Sequence, residues 1–323
     1  LQKSSKNIIL KLKNGRKYIK LKKQNKCEVC NSSNLKLYTK YQDRHYMVSS
    51  MEFEVYRCND CELLFLNPMP SEELLISLYP KSYYSYTVDN KVKKSKFKQF
   101  LFSFLMLDPS DTNDIKQSDN KRILDFGCGS GWVLNKYKDK GYDTYGLDLD
   151  ENAIAIGQKN GHKISNQKLI ETNYPDNNFD NIRSNHSLEH IINIKETIRE
   201  FNRILKTNGR LFIAVPNTSS ITSNIFGKYW YYLGIPYHTY NYNYVNLKIL
   251  LESNGFKIQK VIYRSDWQGI LGSMQIFFNR KTNKSSEEGK LINPIFKIFV
   301  ISISKIFDFF RKGDSIEVYA IKE

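Results

Sequence analysis

A glycine-rich turn between two short apolar segments constrains this chain more than any other feature. Residues 122–132 read Arg-Ile-Leu-Asp-Phe-Gly-Cys-Gly-Ser-Gly-Trp, so a strand-like run meets three alternating glycines before a helical pattern begins. A second strand-like run ends at Asp148. Glycine lets a backbone turn sharply and approach a ligand closely. An acid at the end of the next strand is placed to hold ribose hydroxyls, as in sheets that bind dinucleotides. The pattern therefore predicts a strand–turn–helix unit that binds a ribose-containing ligand.

The remainder of the chain after residue 121 alternates between strand and helix patterns. The predicted strands are 122–126, 143–148, 179–184, 210–216, 257–263 and 315–322. The predicted helices are 131–140, 151–160, 193–206 and 243–254. Such alternation predicts an α/β fold with a mainly parallel sheet and helices on both faces. An aromatic-rich segment, 217–242, and a second segment, 264–314, interrupt the pattern as insertions.

Four parts follow from these composition changes. Residues 1–26 are a basic lead, 27–67 hold two cysteine pairs, 68–120 form a helical linker or lid, and 121–323 form the alternating domain. Within the linker, residues 97–107 are strongly apolar and predict a helix. The linker ends in a polar stretch that contains Pro109, which is typical of a domain boundary. The sequence has 323 residues, enough for one large domain or two smaller ones.

Most of the net charge lies in the basic lead. The formal charge is +16, and residues 1–26 contain ten Lys or Arg and no acids, so the remainder carries only +6. One interpretation is an arm that holds anionic lipid or nucleic acid. The other is a solvated terminus without a binding role.

Four of the five cysteines form two Cys-x-x-Cys pairs. Cys27 and Cys30 make the first pair, and Cys58 and Cys61 make the second. No cleavable signal-peptide pattern is evident, which predicts a reducing compartment where paired cysteines bind metal more often than they form disulfides. Two such pairs can present four thiolates tetrahedrally to zinc. The alternative is four free or disulfide-bonded cysteines.

One apolar segment, residues 291–310, raises the question of a membrane contact. Lys297 and Lys305 interrupt it, and a span needs roughly 20 nearly uncharged residues. A packed helix or a helix at a membrane surface is therefore expected rather than a span. We expect a cytoplasmic protein, at most peripheral to the inner face of the membrane or in contact with a lipid-linked substrate.

The motifs together resemble the class I S-adenosylmethionine (SAM) methyltransferases. The Gly-x-Gly-x-Gly turn after Asp125 departs from the dinucleotide fingerprint Gly-x-Gly-x-x-Gly but matches the first motif of that family. Further matches are Asn-Asn-Phe-Asp at 177–180, Leu-Glu-His at 188–190 and Leu-Lys-Thr-Asn-Gly at 205–209. The resemblance covers about residues 121–263 plus the last strand. It implies a Rossmann-like, seven-stranded sheet and SAM as the cofactor.

The resemblance also implies which residues contact SAM. Asp125 would accept a hydrogen bond from the ammonium group, Asp148 would take both ribose hydroxyls, and Leu149 would flank the adenine. The other expected contacts are the loop residues Gly127, Cys128, Gly129 and Gly131, and Asn185 after the fourth strand. Where many relatives carry an acid before the loop that contacts adenine, this chain has Gln-Lys-Leu-Ile at 167–170, so recognition there would use backbone groups.

The residues around the second cysteine pair resemble a more specific group. Residues 56–68, Tyr-Arg-Cys-Asn-Asp-Cys-Glu-Leu-Leu-Phe-Leu-Asn-Pro, are similar to the zinc-ribbon lead of bacterial methyltransferases encoded with polysaccharide genes. The resemblance implies a small N-terminal zinc-binding module and a sugar acceptor, either a nucleotide sugar or a residue of a surface polysaccharide. Four thiolates leave no open position on zinc, so the ion would be structural.

The candidate catalytic residues follow the fourth predicted strand. Removing the proton of an acceptor hydroxyl needs a base, most often His. In related enzymes the Leu-Glu-His motif lines the acceptor pocket, which makes His190 the first candidate, with a structural role as the alternative. His186 and His238 are further candidates. His186, Glu189 and His190 also have a spacing that suits one helical face, so a divalent cation there is another interpretation.

Two other functions stay open. An RNA methyltransferase would use the zinc ribbon and the basic lead to hold nucleic acid. The chain lacks an Asn-Pro-Pro-Tyr-type motif after the fourth strand, where it reads Ser-Asn-His-Ser, and no basic patch is evident beyond residue 26. A non-catalytic binding protein would use the fold as a scaffold. Within the favoured function, transfer to oxygen is the first expectation, and transfer to carbon or nitrogen is the alternative.

Overall fold

The computed structural model describes residues 7–11, 18–79, 121–282, 284–285 and 294–323. Residues 1–6 and 12–17 of the basic lead and the predicted helix at 97–107 lie outside these residues. Among the described residues, the N-terminal part contains five strands and one helix. They are β1 (Asn7–Lys11), β2 (Tyr18–Lys22), β3 (Leu35–Gln42), β4 (Glu52–Cys58), β5 (Leu64–Leu66) and α1 (Glu72–Leu78). β1 and β2 form an antiparallel pair, and β3, β4 and β5 form an antiparallel sheet in that order.

A seven-stranded sheet forms the centre of the second part. Its strands are β6 (Arg122–Phe126), β7 (Asp143–Leu147), β8 (Lys163–Ser165), β9 (Phe179–Asn185), β10 (Leu205–Pro216), β12 (Phe256–Arg264) and β13 (Ser315–Lys322). Their order across the sheet is β12-β13-β10-β9-β6-β7-β8. β13 runs antiparallel to both β10 and β12, and all other neighbouring pairs in this sheet are parallel. The predicted α/β fold with a mainly parallel seven-stranded sheet is therefore confirmed.

Helices connect these strands. They are α2 (Trp132–Lys138), α3 (Glu151–Lys159), α4 (Ile194–Ile204), α5 (Ile221–Phe226), α6 (Tyr244–Glu252), α7 (Trp267–Asn279) and α8 (Pro294–Phe309). α4 buries Ile194, Ile198 and Phe201 along one face, at the spacing of a helix that packs on a sheet. α3 begins where the carboxylate of Asp150 accepts the N–H groups of Asn152 and Ala153, which caps the helix.

Two elements differ from the sequence prediction for local reasons. β10 begins at Leu205 instead of residue 210, because Leu205 pairs with Phe179 before an irregular stretch restores the pairing at Arg210. β8 was not predicted, since its three residues bury only Ile164 and give no periodic signal. The insertion 264–314 contains α7 and α8, which contact each other.

The aromatic insertion joins the two parts of the chain. β11 (Tyr240–Asn241) pairs with β5 and becomes the fourth strand of the N-terminal sheet. Beside it, the backbone N–H of Leu66 donates to the carbonyl of Thr239 over 3.0 Å. The side-chain amide of Asn246, at the start of α6, donates to the carbonyl of Cys61. One hydrophobic core runs through both parts, so residues 21–78 pack as an extension of the larger domain.

The apolar segment near the C-terminus forms α8. Val300 and Ile301 are buried, whereas Phe299 and Phe309 are exposed. Among the described residues, no helix has the length and apolar character needed to cross a membrane.

One buried acid lies between α5, α7 and β13. Asp314 is 2% exposed, and its Oδ1 accepts hydrogen bonds from the Thr222 hydroxyl and the Trp230 indole N–H. Its Oδ2 has no hydrogen-bond partner among the described residues, and a Cβ added to Gly269 would lie 1.9 Å from that oxygen. Burial raises the pKa of Asp314 to about 7, with the charge of Asp266 acting in the same direction against the hydrogen bond from Thr222.

This shift predicts a fall in stability with rising pH. Between about pH 4 and pH 7 the folded chain keeps a proton on Asp314 that the unfolded chain has released, so the free energy of unfolding decreases as pH rises. Asp314→Asn should remove this contribution and gain up to roughly 4 kcal/mol over the original chain between pH 5 and pH 8. Urea unfolding at several pH values measures the difference. Parallel pH profiles for Asp314→Asn and the original chain would contradict it, and the exposed substitution Asp139→Asn is the control.

Candidate functional site

The glycine turn occupies the carboxyl end of β6, at the centre of the sheet. Gly127, Gly129 and Gly131 have φ angles of 77°, 53° and 75°, in the left-handed region that favours glycine. A Cβ on Gly127 would lie 1.9 Å from the Ser187 hydroxyl, and one on Gly131 would lie 2.9 Å from the ring of His162. The turn therefore has this shape because its glycines leave room for the neighbouring side chains.

Asp148 fixes the turn from the next strand. Its carboxylate follows β7, accepts the backbone N–H of Gly129 over 2.7 Å, and accepts that of Asp150 over 3.0 Å. A carboxylate has about four acceptor positions, so each oxygen keeps one for a further donor. Leu149, next along the chain, is 57% exposed. The two residues thus place an acceptor pair and an apolar surface side by side at the carboxyl edge of the sheet.

Asp125 lies behind the turn. It is 1% exposed, and its Oδ1 forms an ion pair over 3.0 Å with Arg183 from β9, which is also buried. Sequence reasoning missed Arg183, which looked like an ordinary strand residue. Because the carboxylate is already paired, Asp125 holds β6 against β9 in addition to its predicted role toward the cofactor.

Cys128 and Asn185, the remaining predicted cofactor residues, have different surroundings near the glycine turn. Cys128 is buried, and a Cβ on Gly146 would lie 2.5 Å from its Sγ, so the thiol packs against β7, where it also donates to the Gly129 carbonyl over 3.4 Å. Burial raises the pKa of the Cys128 thiol. Asn185 ends β9, where its carbonyl accepts the Ser187 hydroxyl.

The four paired cysteines meet in one cluster. Their sulfurs lie within 4.8 Å of one another, with 3.6 Å between Cys27 and Cys61 and 3.5 Å between Cys30 and Cys58. Four thiolates bound to zinc at about 2.3 Å in a tetrahedron stand about 3.8 Å apart. The hydrogen bond with Cys61 lowers the pKa of Cys27 to about 6 despite burial. The cluster therefore has the spacing of a metal site.

A histidine and a glutamate form a pair just after β9. Nδ1 of His186 lies 3.4 Å from Oε1 of Glu189, which is 1% exposed, whereas the His186 side chain is 43% exposed. Desolvation lowers the pKa of His186, but the hydrogen bond and charge of Glu189 outweigh it and raise the pKa above its usual value. Burial raises the pKa of Glu189, yet His186 and the neighbouring imidazoles lower it to about 2. Glu189 is therefore an anion that holds an exposed imidazole.

His186 also has an uncommon backbone. Its φ is +52°, a left-handed conformation that non-glycine residues seldom adopt, and its N–H donates to the Ala214 carbonyl. Strain of this kind is concentrated at functional sites.

His190 and His238 lie against the same glutamate. Their ring centroids are 4.8 Å apart. Nδ1 of His190 is 3.0 Å from the Tyr237 carbonyl and 3.1 Å from the Tyr79 hydroxyl, and Nδ1 of His238 is 2.9 Å from the Tyr232 carbonyl. Burial lowers the pKa of both imidazoles, that of His238 to about 3. The structure thus brings all four predicted catalytic residues together.

The N-terminal part contributes to this cluster, which the sequence did not indicate. Asp43 is 1% exposed, accepts the N–H groups of His45 and Tyr46, and accepts the Tyr237 hydroxyl over 3.0 Å. The His45 ring lies 4.6 Å from that of Tyr231. No sequence motif marks Asp43, because Tyr237, its partner from the aromatic insertion, is nearly 200 residues away.

Comparisons with known proteins identify a family to which much of the chain belongs. The family model described as "Methyltransferase domain" matches residues 98–261. An uncharacterized protein of Methanocaldococcus jannaschii is 33% identical over 110 residues, which is 33% of this chain and 47% of that protein. The ubiquinone biosynthesis O-methyltransferase of Rickettsia prowazekii is 31% identical over 142 residues, 42% of this chain and 55% of that protein. A SAM-dependent methyltransferase structure from Archaeoglobus fulgidus has a TM-score of 0.44 at 21% identity, covering 62% of this chain and 86% of that one.

The chain belongs to the methyltransferase-domain family, in the class I fold that uses SAM. It spans about half the length of the first curated relatives that it matches. SAM fits the residues at the carboxyl edge of the sheet: the spare acceptor positions of Asp148 suit two ribose hydroxyls, and exposed Leu149 suits a flat base. When bound there, SAM supplies a methyl group on a positively charged sulfur.

Asp148→Ala should weaken SAM binding by about 1–3 kcal/mol, because two charge-assisted hydrogen bonds to the ribose are lost and the Gly129 N–H loses its acceptor. Isothermal titration calorimetry measures the dissociation constant. The matched control is Asp143→Ala, at the amino end of the same strand, where affinity should not change. Unchanged SAM affinity in Asp148→Ala would show that Asp148 does not bind the cofactor.

Proposed function

We propose that this protein transfers a methyl group from SAM to a hydroxyl of a sugar, with His186 as the base and Glu189 as its orienting partner. The observation that carries the proposal is the exposed imidazole of His186, held by a buried carboxylate beside the glycine turn. A base of this kind would remove the hydroxyl proton as the oxygen attacks the methyl group. His190, the first candidate from the sequence, remains the alternative base.

His186 suits the role of base for two reasons. Its Nδ1 faces Glu189, which leaves Nε2 as the atom that can accept a proton from an acceptor. His190, in contrast, has a neutral carbonyl, that of Tyr237, rather than a carboxylate as the partner of its Nδ1, and it lies deeper beside His238. Glu189 would stabilise the imidazolium that forms when His186 takes the proton.

The side chains around the cluster support a ring-shaped, polar acceptor. Tyr231, Tyr232 and His45 present aromatic surfaces, and the Gln268 amide donates to the Tyr231 hydroxyl over 3.0 Å. Aromatic faces pack against apolar faces of rings, while amide and hydroxyl groups orient their polar edges. This composition is the reason for proposing a sugar, either a nucleotide sugar or a glycan residue.

A screen with methyl-labelled SAM tests the acceptor class. One arm contains nucleotide sugars and cell-surface glycans, a second contains phenols and catechols, and a third contains RNA. Label transferred to a sugar oxygen supports the proposal. Label in the phenol or RNA arm alone would overturn the sugar assignment while preserving methyl transfer. SAM binding without transfer to any fraction of a cell-surface precursor extract would favour a non-catalytic binding protein.

His186→Asn tests the base. Asn tolerates the left-handed backbone at this position, so the substitution removes the imidazole without adding backbone strain. We expect kcat to fall roughly 10²–10⁴-fold with the acceptor found in the screen, while SAM affinity stays unchanged. His162→Gln serves as a control for a histidine that is buried between Thr144 and Asn135. Turnover close to that of the original chain in His186→Asn would exclude His186 as the base.

We further propose that the four clustered cysteines hold a structural zinc ion. The thiolate spacing supports this, and an ion with four protein ligands keeps no position for a substrate. The module that it would fold is small, with short strands and a limited core of its own, which is typical of domains that need metal ligation.

Cys58→Ser should lose zinc and destabilise the whole chain. The cysteine module and the larger domain are joined, because β11 pairs with β5 and the Asn246 amide donates to the Cys61 carbonyl. Loosening the cysteine cluster should therefore lower the melting temperature of the entire protein. Metal analysis and calorimetry measure both effects, with Cys128→Ser as the control that keeps its zinc. A zinc content in Cys58→Ser equal to that of the original chain would exclude Cys58 as a ligand.

A further inference from the structure

A second group of metal-binding side chains lies outside the cysteine cluster. One ligand atom from each of Glu189, His190 and His238 lies within 4.8 Å of the others. Glu189 is 1% exposed, and its Oε2 has no hydrogen-bond partner among the described residues, while its Oε1 faces His186. Burial of a carboxylate oxygen without a hydrogen-bond donor costs free energy, so a cation or a donor at that position would stabilise the group.

The two imidazoles are oriented as metal ligands are. A carbonyl oxygen only accepts hydrogen bonds, so Nδ1 of His190 must carry the proton that it shares with the Tyr237 carbonyl. The same reasoning gives Nδ1 of His238 the proton that it donates to the Tyr232 carbonyl. In the neutral rings both Nε2 atoms then keep a lone pair. Histidines that bind metal commonly donate their other ring N–H to a carbonyl in this way, which fixes the tautomer and the ring.

The backbone holds the three ligands in place over a long sequence distance. The Glu189 carbonyl accepts both the N–H and the hydroxyl of Thr239, the residue after His238. The N–H of His238 donates to the Gly234 carbonyl, and a Cβ on Gly234 would lie 2.3 Å from Nδ1 of His238. The loop is therefore closed against the 188–190 turn, and a glycine at 234 makes room for the His238 ring.

We propose that Glu189, His190 and His238 form a binding site for a divalent first-row transition-metal ion. Bonds of roughly 2.1 Å to one ion would place the ligand atoms about 3–3.5 Å apart. The ligand atoms lie within 4.8 Å of one another, so small side-chain rotations would bring them to that separation. Two imidazoles and one carboxylate suit Zn²⁺, Fe²⁺ or Co²⁺, and three protein ligands leave positions open for two neighbouring oxygens. That such oxygens belong to the acceptor rests on the proposed function, whereas metal binding at this site does not.

The structure chooses between two ligand sets. Sequence spacing alone suggested His186, Glu189 and His190, but His186 does not belong to the group whose ligand atoms converge. His238 takes its place, from a loop almost 50 residues further along the chain. The assignment thus separates two oxygens of one carboxylate: Oε1 orients His186, and Oε2 faces the ion.

Cobalt titration tests the site without SAM or any acceptor, so its result is independent of methyl transfer. The full chain is first given one equivalent of Zn²⁺ to fill the cysteine cluster, and Co²⁺ is then added while the visible spectrum is recorded. We expect a further equivalent of Co²⁺ to bind with d–d bands and no thiolate charge-transfer band. Glu189→Gln and His238→Ala should each weaken this binding at least tenfold, and His186→Ala should leave it nearly unchanged.

Each other outcome would overturn the assignment. Absence of saturable Co²⁺ binding in the zinc-loaded chain would exclude the site, and binding seen only with thiolate bands would assign the ion to the cysteines. Loss of binding in His186→Ala with retention in His238→Ala would favour the spacing-based set. His238→Gln provides a second variant that keeps a polar side chain in the loop, and SAM calorimetry confirms that each variant is folded.

Discussion

One buried threonine holds together the part of this protein that carries His190 and His238. Thr239 donates its N–H and its hydroxyl to the Glu189 carbonyl, and the hydroxyl also reaches the Ile191 carbonyl. Its own carbonyl accepts the N–H of Leu66, next to the pairing of β5 with β11. These groups are buried, so a broken bond would leave polar atoms without water to replace the partner. The positions of His190 and His238 therefore depend on the contact between the two parts of the chain.

The cysteine module acts through the same contact. Its sheet ends in a strand that the larger domain supplies, and its loop at residues 43–46 packs against Tyr231 and Tyr237. An ion in the cysteine cluster would stabilise this sheet and hold the loop near the histidines. The module would then form one wall of the proposed acceptor site.

The cofactor side and the acceptor side are built differently. Asp148 and the glycine turn come from consecutive strand–turn–helix units, whose order alone places them at the carboxyl edge of the sheet. The acceptor side combines residues from the module, from the turn after β9 and from the aromatic insertion. Such a division lets one family keep its donor site while the substrate site varies with the insertions.

Local patterns were enough to predict the α/β fold, the parallel sheet and the residues that would line the glycine turn. Strand alternation, helix periodicity and glycine spacing all reflect backbone conformation over short stretches. The fold and the glycine turn could therefore be predicted from the sequence. The same patterns identified the four cysteines and the histidines near residue 190 as candidates, and their roles remain predictions.

Tertiary structure decided which of these candidates meet. It paired Asp125 with Arg183, turned the Cys128 thiol into the core, and brought His238 from a distant loop to Glu189 and His190. It also joined the cysteine module to the larger domain through β11 and placed Asp43 beside Tyr237. These contacts join residues that are about 50 to 200 positions apart. No local pattern encodes them, because they arise when separate elements bury their surfaces together and each buried polar group must find a partner.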